Sequence, residues 1–343
     1  MLSCHSNKTN CMPTLIPGDT YNVIKARFET KCAKIQAPFV FALWSNGGEM
    51  MLFTHANFRA QFRHMIYYQP AVNRRPAQMN PFIPRWLADV DMKTCDEIVI
   101  DPSRPPGPLH GVFNQFPGFK AAKLPQVPDA DVDGLVQPIM RHVLDVIVAG
   151  HGEKAEWFLN WMAVQVQHAQ RKHKVAVVVN GASGCGKSVL TDFFSQEVLG
   201  PNCSYQTTEA KRDVFAKFAF GVVCTVFLHV KQEVVALGRE RAALNDLITQ
   251  NSIHYEERRK DRRMMENLMH VYLTTRNTTE DMLCHRYVLF QASNVYVGDT
   301  SYFTGLRAHL TRPEVARAFY QFLMARDLSQ FHPYARPPMN AVV

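Results

Sequence analysis

Val175–Leu190 reads Val-Ala-Val-Val-Val-Asn-Gly-Ala-Ser-Gly-Cys-Gly-Lys-Ser-Val-Leu. Val175 to Val179 is an apolar, mostly β-branched run, which predicts a buried strand. It leads into Gly181-x-x-x-x-Gly186-Lys187-Ser188. Val189, Leu190, Phe193, Phe194, Val198 and Leu199 then recur at helical spacing. Strand, glycine loop and helix, in that order, are the context a phosphate-binding P-loop requires.

The residue types carry the chemistry. Gly181, Gly184 and Gly186 let the backbone turn tightly and bring its N–H groups close to phosphate oxygens. The helix that follows points its partly positive end at the same anion. The loop expected to hold a nucleotide is Gly181, Ala182, Ser183, Gly184, Cys185, Gly186, Lys187, Ser188 and Val189. Lys187 would reach the β- and γ-phosphates, and Ser188 would ligate Mg²⁺. The competing reading is a chance match in a Gly/Ser turn.

The bulk numbers set the frame. The chain has 343 residues, enough for two domains and a sizeable core. At 47% hydrophobic and 20% charged, it is globular in composition. It has no apolar run of membrane-spanning length, so no membrane association is expected. Met1–Asn10 is polar and lacks the apolar core of a secretory signal, so an intracellular, soluble protein is expected. Eight cysteines stand at 4, 11, 32, 95, 185, 203, 224 and 284 without a Cys-x-x-Cys pair, which gives a zinc site little support. Cys185 lies inside the loop, where oxidation would hinder nucleotide binding. Lys plus Arg outnumber Asp plus Glu by 38 to 30, a net +8 that favours polyanionic partners.

Before the loop, Met1–Thr20 reads as a poorly ordered tail. Phe39–Trp44 and Met50–Phe53, split by Asn46-Gly47-Gly48, predict a hairpin. Ala56–Tyr68 predicts a helix. Met79–Leu87 reads as Pro-broken, with Trp86 exposed. Asp96–Ile100 predicts a short strand, ended by the Pro/Gly cluster Pro102–Pro108. Val132–Val148 and Ala155–Arg171 predict helices, the second with Trp157, Phe158, Trp161, Met162 and Val164 as a core stripe.

After the loop, Gly221–Val230 predicts a second strand and Glu240–Gln250 an amphipathic helix. Leu268–Thr274 and Arg286–Phe290 predict two more strands. Thr311-x-x-Glu314 predicts a capping box opening a helix through Met324. The alternation after Val175 predicts an α/β domain with a mainly parallel sheet. The expected division is a tail over 1–20, an α+β region over 21–130, an ATPase domain over 131–300 with its leading helices, and a C-terminal helical segment over 301–343.

The order of these features resembles the superfamily 3 helicase branch of the AAA+ ATPases, and within it the helicase domain of phage and viral primase-polymerases and poxvirus-type primase-helicases. The resemblance rests on Phe113–Phe119 ahead of the ATPase and on Trp157–Ala163 before the P-loop strand. It continues through Leu247-Ile248-Thr249, the basic run, Thr275-Arg276-Asn277, Arg286–Phe290 and Arg326–Ser329. It implies a P-loop NTPase of AAA+ type, with ATP and Mg²⁺ as cofactors. It assigns Lys187, Glu233, Asn277 and Arg286 to catalysis. Glu233 would polarise the attacking water, Asn277 would sense the γ-phosphate, and Arg286, with His285, would be an arginine finger serving a neighbouring subunit. Arg258, Arg259, Lys260, Arg262 and Arg263 would grip single-stranded DNA, with RNA a second choice. The implied assembly is a homo-oligomeric ring, a hexamer, with a primase or polymerase as partner.

Each assignment has a plainer rival: Glu233 as a solvated carboxylate, Asn277 as a turn residue, Arg286 as a salt-bridge partner. Arg258–Arg263, beside Glu256, Glu257 and Asp261, could equally form a self-paired surface helix. The family carries Asp-Glu after its second strand, whereas here Gln232-Glu233 follow Lys231. Neutral Gln is a poorer partner for hydrated Mg²⁺, which puts hydrolysis in question. The leading expectation is an ATP-dependent DNA helicase or translocase acting in replication. The alternatives are a degenerate P-loop protein that binds ATP and nucleic acid with little turnover, and a small-molecule P-loop kinase.

Overall fold

A computed structural model of the chain describes residues 18–45, 48–72, 75–207, 224–231, 239–255, 263–276, 286–332 and 337. The chain divides between Pro117 and Gly118 into two compact units.

The first unit opens with α1 (Tyr21–Glu29), β1 (Cys32–Ile35), β2 (Val40–Trp44), β3 (Met50–Phe53) and α2 (His55–Gln61). It continues through β4 (Ile66–Gln69), β5 (Gln78–Pro81), α3 (Phe82–Leu87), β6 (Thr94–Cys95), β7 (Glu97–Val99), β8 (Gly107–Pro108) and β9 (Val112–Asn114). The predicted hairpin is present: β2 and β3 pair antiparallel, Phe41 opposite Phe53 and Trp44 opposite Met50. The alternation of β2 serves two cores. Phe41 and Leu43 pack with α1, α2 and α3, whereas Ala42 and Trp44 pack with Cys95 and Phe113.

Two expectations fail in this unit. The helix predicted over Ala56–Tyr68 stops at Gln61, because Ile66–Gln69 forms β4 and pairs antiparallel with β5. The aromatic and β-branched side chains of Ile66-Tyr67-Tyr68 favour a strand once a partner is present, and that partner lies nine residues on. Trp86 is fully buried rather than exposed. Pro84 is the third residue of α3, within the first turn, where its missing N–H has no intrahelical partner to lose. The short helix therefore forms and puts Phe82 and Trp86, one turn apart, into the core. The indole N–H of Trp86 donates to Glu29 Oε1 at 2.8 Å.

The second unit carries α4 (Asp129–His142), α5 (Gly152–Gln167), β10 (Ala176–Asn180), α6 (Lys187–Phe193), β11 (Ser204–Thr207), β12 (Phe227–Lys231) and α7 (Arg239–Thr249). There follow β13 (Ser252–Tyr255), β14 (Arg263–Glu266), β15 (His270–Thr275), β16 (Tyr287–Gln291), α8 (Thr300–Leu310) and α9 (Pro313–Met324). Both α4 and α6 run on into π-helical turns, Val143–Ile147 and Phe194–Leu199.

Five strands form one sheet in the order β11-β12-β15-β10-β16, and every neighbouring pair is parallel. Such a sheet needs cover on both faces, and its strands read as continuous apolar runs. The period of two sorts them. Val178, Leu228, Val230, Val271 and Leu273 face Leu244, Leu247 and Ile248 of α7. Tyr272, Phe227 and Phe290 meet the rings of Phe158 and Trp161 on α5. The stripe predicted on α5 is thus core. Each of the three α7 side chains contributes about 1.5–3 kcal/mol on burial.

The capping box at Thr311 is absent. Thr311 closes α8 instead, its hydroxyl donating to Ala308 O at 2.9 Å. The next helix, α9, starts with Pro313 after Arg312, and Glu314 accepts from Arg312 Nε at 2.9 Å. Two residues join α8 to α9: Thr311 caps the end of the earlier helix and Arg312 precedes the later one.

Candidate functional site

The glycine loop leaves the C-terminal end of β10, the strand held between β15 and β16. In open α/β sheets this edge is where ligands bind. Two backbone contacts pin the loop's entry. Gly181 N–H donates to Thr275 O at 3.2 Å, and Ala292 N–H donates to Asn180 O at 2.7 Å. The close approach of the segment after β16 demands glycine at 181, where a Cβ would lie 2.9 Å from Ala292 Cβ.

The exit demands glycine more strongly. Gly186 has φ of +103°, and a Cβ there would lie 2.8 Å from His142 Cε1 and 2.9 Å from Phe303 Cε1. His142 ends α4, and its Nε2 lies 3.1 Å from Gly186 O while its Nδ1 lies 2.9 Å from Tyr302 Oη. A carbonyl only accepts, so Nε2 carries the proton and Nδ1 accepts from the tyrosine hydroxyl. Burial lowers the pKa of His142 and keeps the ring in this neutral form. Burial also pushes Tyr302 up to about 12, so its hydroxyl stays a donor. Tyr302 stacks on Tyr296, whose hydroxyl donates to Asp145 Oδ2 at 2.9 Å.

Lys187 is nine-tenths buried and turns back into the loop. Its ammonium donates to Gly181 O at 2.5 Å and Ala182 O at 2.6 Å, with Cys185 Sγ at 3.6 Å. Ser188 stands in the first turn of α6, and Asp192 lies one turn further on. Asp192 Oδ1 accepts from Gln206 Nε2 at 2.7 Å and from Lys231 Nζ at 3.2 Å. Arg276, just beyond β15, donates from Nη2 to Ser183 Oγ at 3.3 Å.

These groups open on a cleft of about 970 Å³. One wall is α6 (Ser188, Val189, Asp192), and the facing wall is α8 (Thr300, Phe303, Thr304, Arg307). The ends of β12 and β15 supply Lys231 and Arg276. Four cations, Lys187, Lys231, Arg276 and Arg307, border this space together with the carboxylates of Asp192, Glu197 and Asp299, and Lys231 is paired with Asp192. The glycine loop adds backbone N–H groups on the same side.

The residues singled out from sequence divide into three groups. Ser183, Gly184, Gly186, Lys187, Ser188 and Val189 come together at the cleft, with Gly181, Ala182 and Cys185 in the same loop. Arg286 stands elsewhere. Its carbonyl accepts from Ala176 N–H at 2.8 Å, at the start of β10, five residues and about 16 Å of strand rise from Gly181. Gln232, Glu233, Asn277, His285, Arg258, Arg259, Lys260 and Arg262 lie outside the described residues. The strands flanking the basic run are described. β13 and β14 pair antiparallel with Tyr255 opposite Arg263, so Arg263 opens a strand rather than extending a surface helix. This pair precedes β15, which places it at the N-terminal edge of the sheet, away from the cleft.

Sequence reasoning missed His142, Tyr302, Phe303 and Arg307. None shares a motif with the loop: His142 lies 39 residues before Gly181 and the other three lie 121 or more residues after it. Among the described residues, no helix is long and apolar enough to cross a membrane.

No family model matches this chain. No curated protein matches it either. Solved structures do match. An A-form apo structure of the NrS-1 C-terminal region aligns with a TM-score of 0.61 at 13% identity, over 89% of this chain and 68% of that one. A second apo structure of the same region gives 0.60 at 14% identity, over 87% and 67%. At this identity the likeness is one of fold.

Proposed function

We propose that the cleft binds a nucleoside triphosphate, and that the chain is an ATP-driven translocase of the superfamily 3 helicase type acting in DNA replication. The observation that carries the reading is the glycine loop itself. It leaves the C-terminal end of a central parallel strand, enters a helix at Lys187-Ser188, and opens on a cation-bordered cleft. A P-loop of AAA+ type accounts for all three features.

In this reading Lys187 exchanges its two loop carbonyls for β- and γ-phosphate oxygens. Mg²⁺ would be held by the Ser188 hydroxyl together with phosphate oxygens, and the Asp192 carboxylate one turn along α6 offers a further hard oxygen donor. Bound there, the ion would neutralise charge on the phosphates. In sequence, Glu233 and Asn277 come two residues after Lys231 and Thr275, which end β12 and β15 at the edge of the sheet that carries the loop. Arg286 and the β13–β14 hairpin belong to the opposite edge. An arginine about 16 Å of strand from its own loop acts on a nucleotide only in a neighbouring subunit, so the reading requires an oligomer.

A second reading is nucleotide binding with little turnover. Gln232 favours it, and so does the ion pair that engages Asp192 with Lys231. The test is an ATPase assay with and without single-stranded DNA, on wild type and on Lys187→Ala. DNA-stimulated hydrolysis that disappears in Lys187→Ala supports the translocase. Tight ATP binding without hydrolysis supports the second reading. Equal hydrolysis by both proteins refutes the role of the loop.

A further inference from the structure

We propose that Arg276 is a phosphate-reading arginine acting within its own subunit, and that it makes the cleft prefer a nucleoside triphosphate to a diphosphate. The inference rests on the reading of the loop as a nucleotide site and adds a residue to it.

Sheet register places Arg276. Val179 pairs with Thr274 and Asn180 with Thr275, and Gly181 N–H closes onto Thr275 O at 3.2 Å. The next residue along β15 therefore leaves the sheet where the loop begins. From there the guanidinium reaches Ser183 Oγ at 3.3 Å, at the crest of the loop. Lys187 holds the two residues before Ser183 from inside, through Gly181 O and Ala182 O. Two cations thus flank Gly181–Ser183, one from within the loop and one from β15.

This end of the loop is where a terminal phosphate would sit. A P-loop lysine contacts the β- and γ-phosphates, so the segment that Lys187 spans is the γ end. A diphosphate presents nothing there. Arg276 is exposed and long, and its planar fork can take two phosphate oxygens at once. A charge-assisted pair with phosphate oxygens would be stronger than its bond to the neutral Ser183 hydroxyl at 3.3 Å.

The experiment measures affinities of the full chain for ADP and for AMP-PNP, a non-hydrolysable triphosphate, by calorimetry with Mg²⁺. Wild type is expected to bind AMP-PNP more tightly. Arg276→Ala should weaken AMP-PNP by roughly 10- to 100-fold, the range of a charge-assisted hydrogen bond, and leave ADP within about threefold. Arg276→Lys should recover part of the loss. Retained ADP binding reports that each variant is folded. Equal loss for both nucleotides, or no loss for either, overturns the inference while leaving the nucleotide site intact. Wild type that binds neither nucleotide overturns the site and the inference together.

Discussion

Replacing Gly186 with alanine separates two costs that usually come together. The backbone there has φ of +103°, a region that costs an L-residue about 1–2 kcal/mol. The added methyl would also meet His142 Cε1 at 2.8 Å and Phe303 Cε1 at 2.9 Å, both ring atoms of packed side chains. Forcing such an overlap apart costs a further 1–3 kcal/mol or so. Gly186→Ala should therefore destabilise by about 2–5 kcal/mol. Gly184→Ala is the internal control. Its φ is +78°, but its Cβ would meet no heavy atom within 4 Å among the described residues. It should cost only the backbone term, about 1–2 kcal/mol. Urea unfolding of both variants against wild type reads the difference, and the first unit contributes equally to all three. Relief of the larger cost in Gly186→Ala/His142→Ala would locate the overlap at the imidazole. Equal destabilisation by Gly184→Ala and Gly186→Ala would refute the wall that His142 and Phe303 form against the loop.

Two further predictions concern the cores. Trp86→Ala removes a fully buried indole and its bond to Glu29, and should cost about 3–5 kcal/mol in urea unfolding; a cost under about 1 kcal/mol would return Trp86 to the surface. Burial pushes His229 down to about 3 from its ordinary 6.5, with the nearby Lys231 charge acting in the same direction. A depressed histidine stabilises above its unfolded value and loses that contribution as pH falls below 6.5, because the unfolded chain then takes up the proton. His229 alone should remove about 2 kcal/mol between pH 7 and pH 5, and burial lowers His173 and His270 in the same direction. A flat profile of urea midpoint over that range would show that these rings are hydrated.

Three strands of the parallel sheet were legible because a sheet buried on both faces writes itself as apolar runs, whereas β12 begins only at Phe227 within the predicted Gly221–Val230 and the edge strand β11 was not read. Val175–Val179, Leu268–Thr274 and Arg286–Phe290 were each placed within two residues. The stripe on α5 was legible for the same reason. Short elements were not. Trp86 looked exposed beside Pro81 and Pro84, because nothing local reveals that Pro84 falls in a first helical turn. Thr311 and Glu314 matched a capping pattern, but the pattern is silent on α8 ending one residue earlier.

For the candidate site, chain order alone determined the glycine loop, Lys187 and Ser188. Their chemistry depends on neighbours within eight residues, so the sequence carries it whole. Tertiary structure decided what stands around them. Arg276 reaches Ser183 only because β15 lies beside β10 in one register. His142 and Phe303 reach Gly186 only because α4 and α8 converge on the loop from either side of it in the chain. Arg286 is set apart from the loop by the length of β10. Contacts across such separations are set by packing and strand order, which no local spacing encodes.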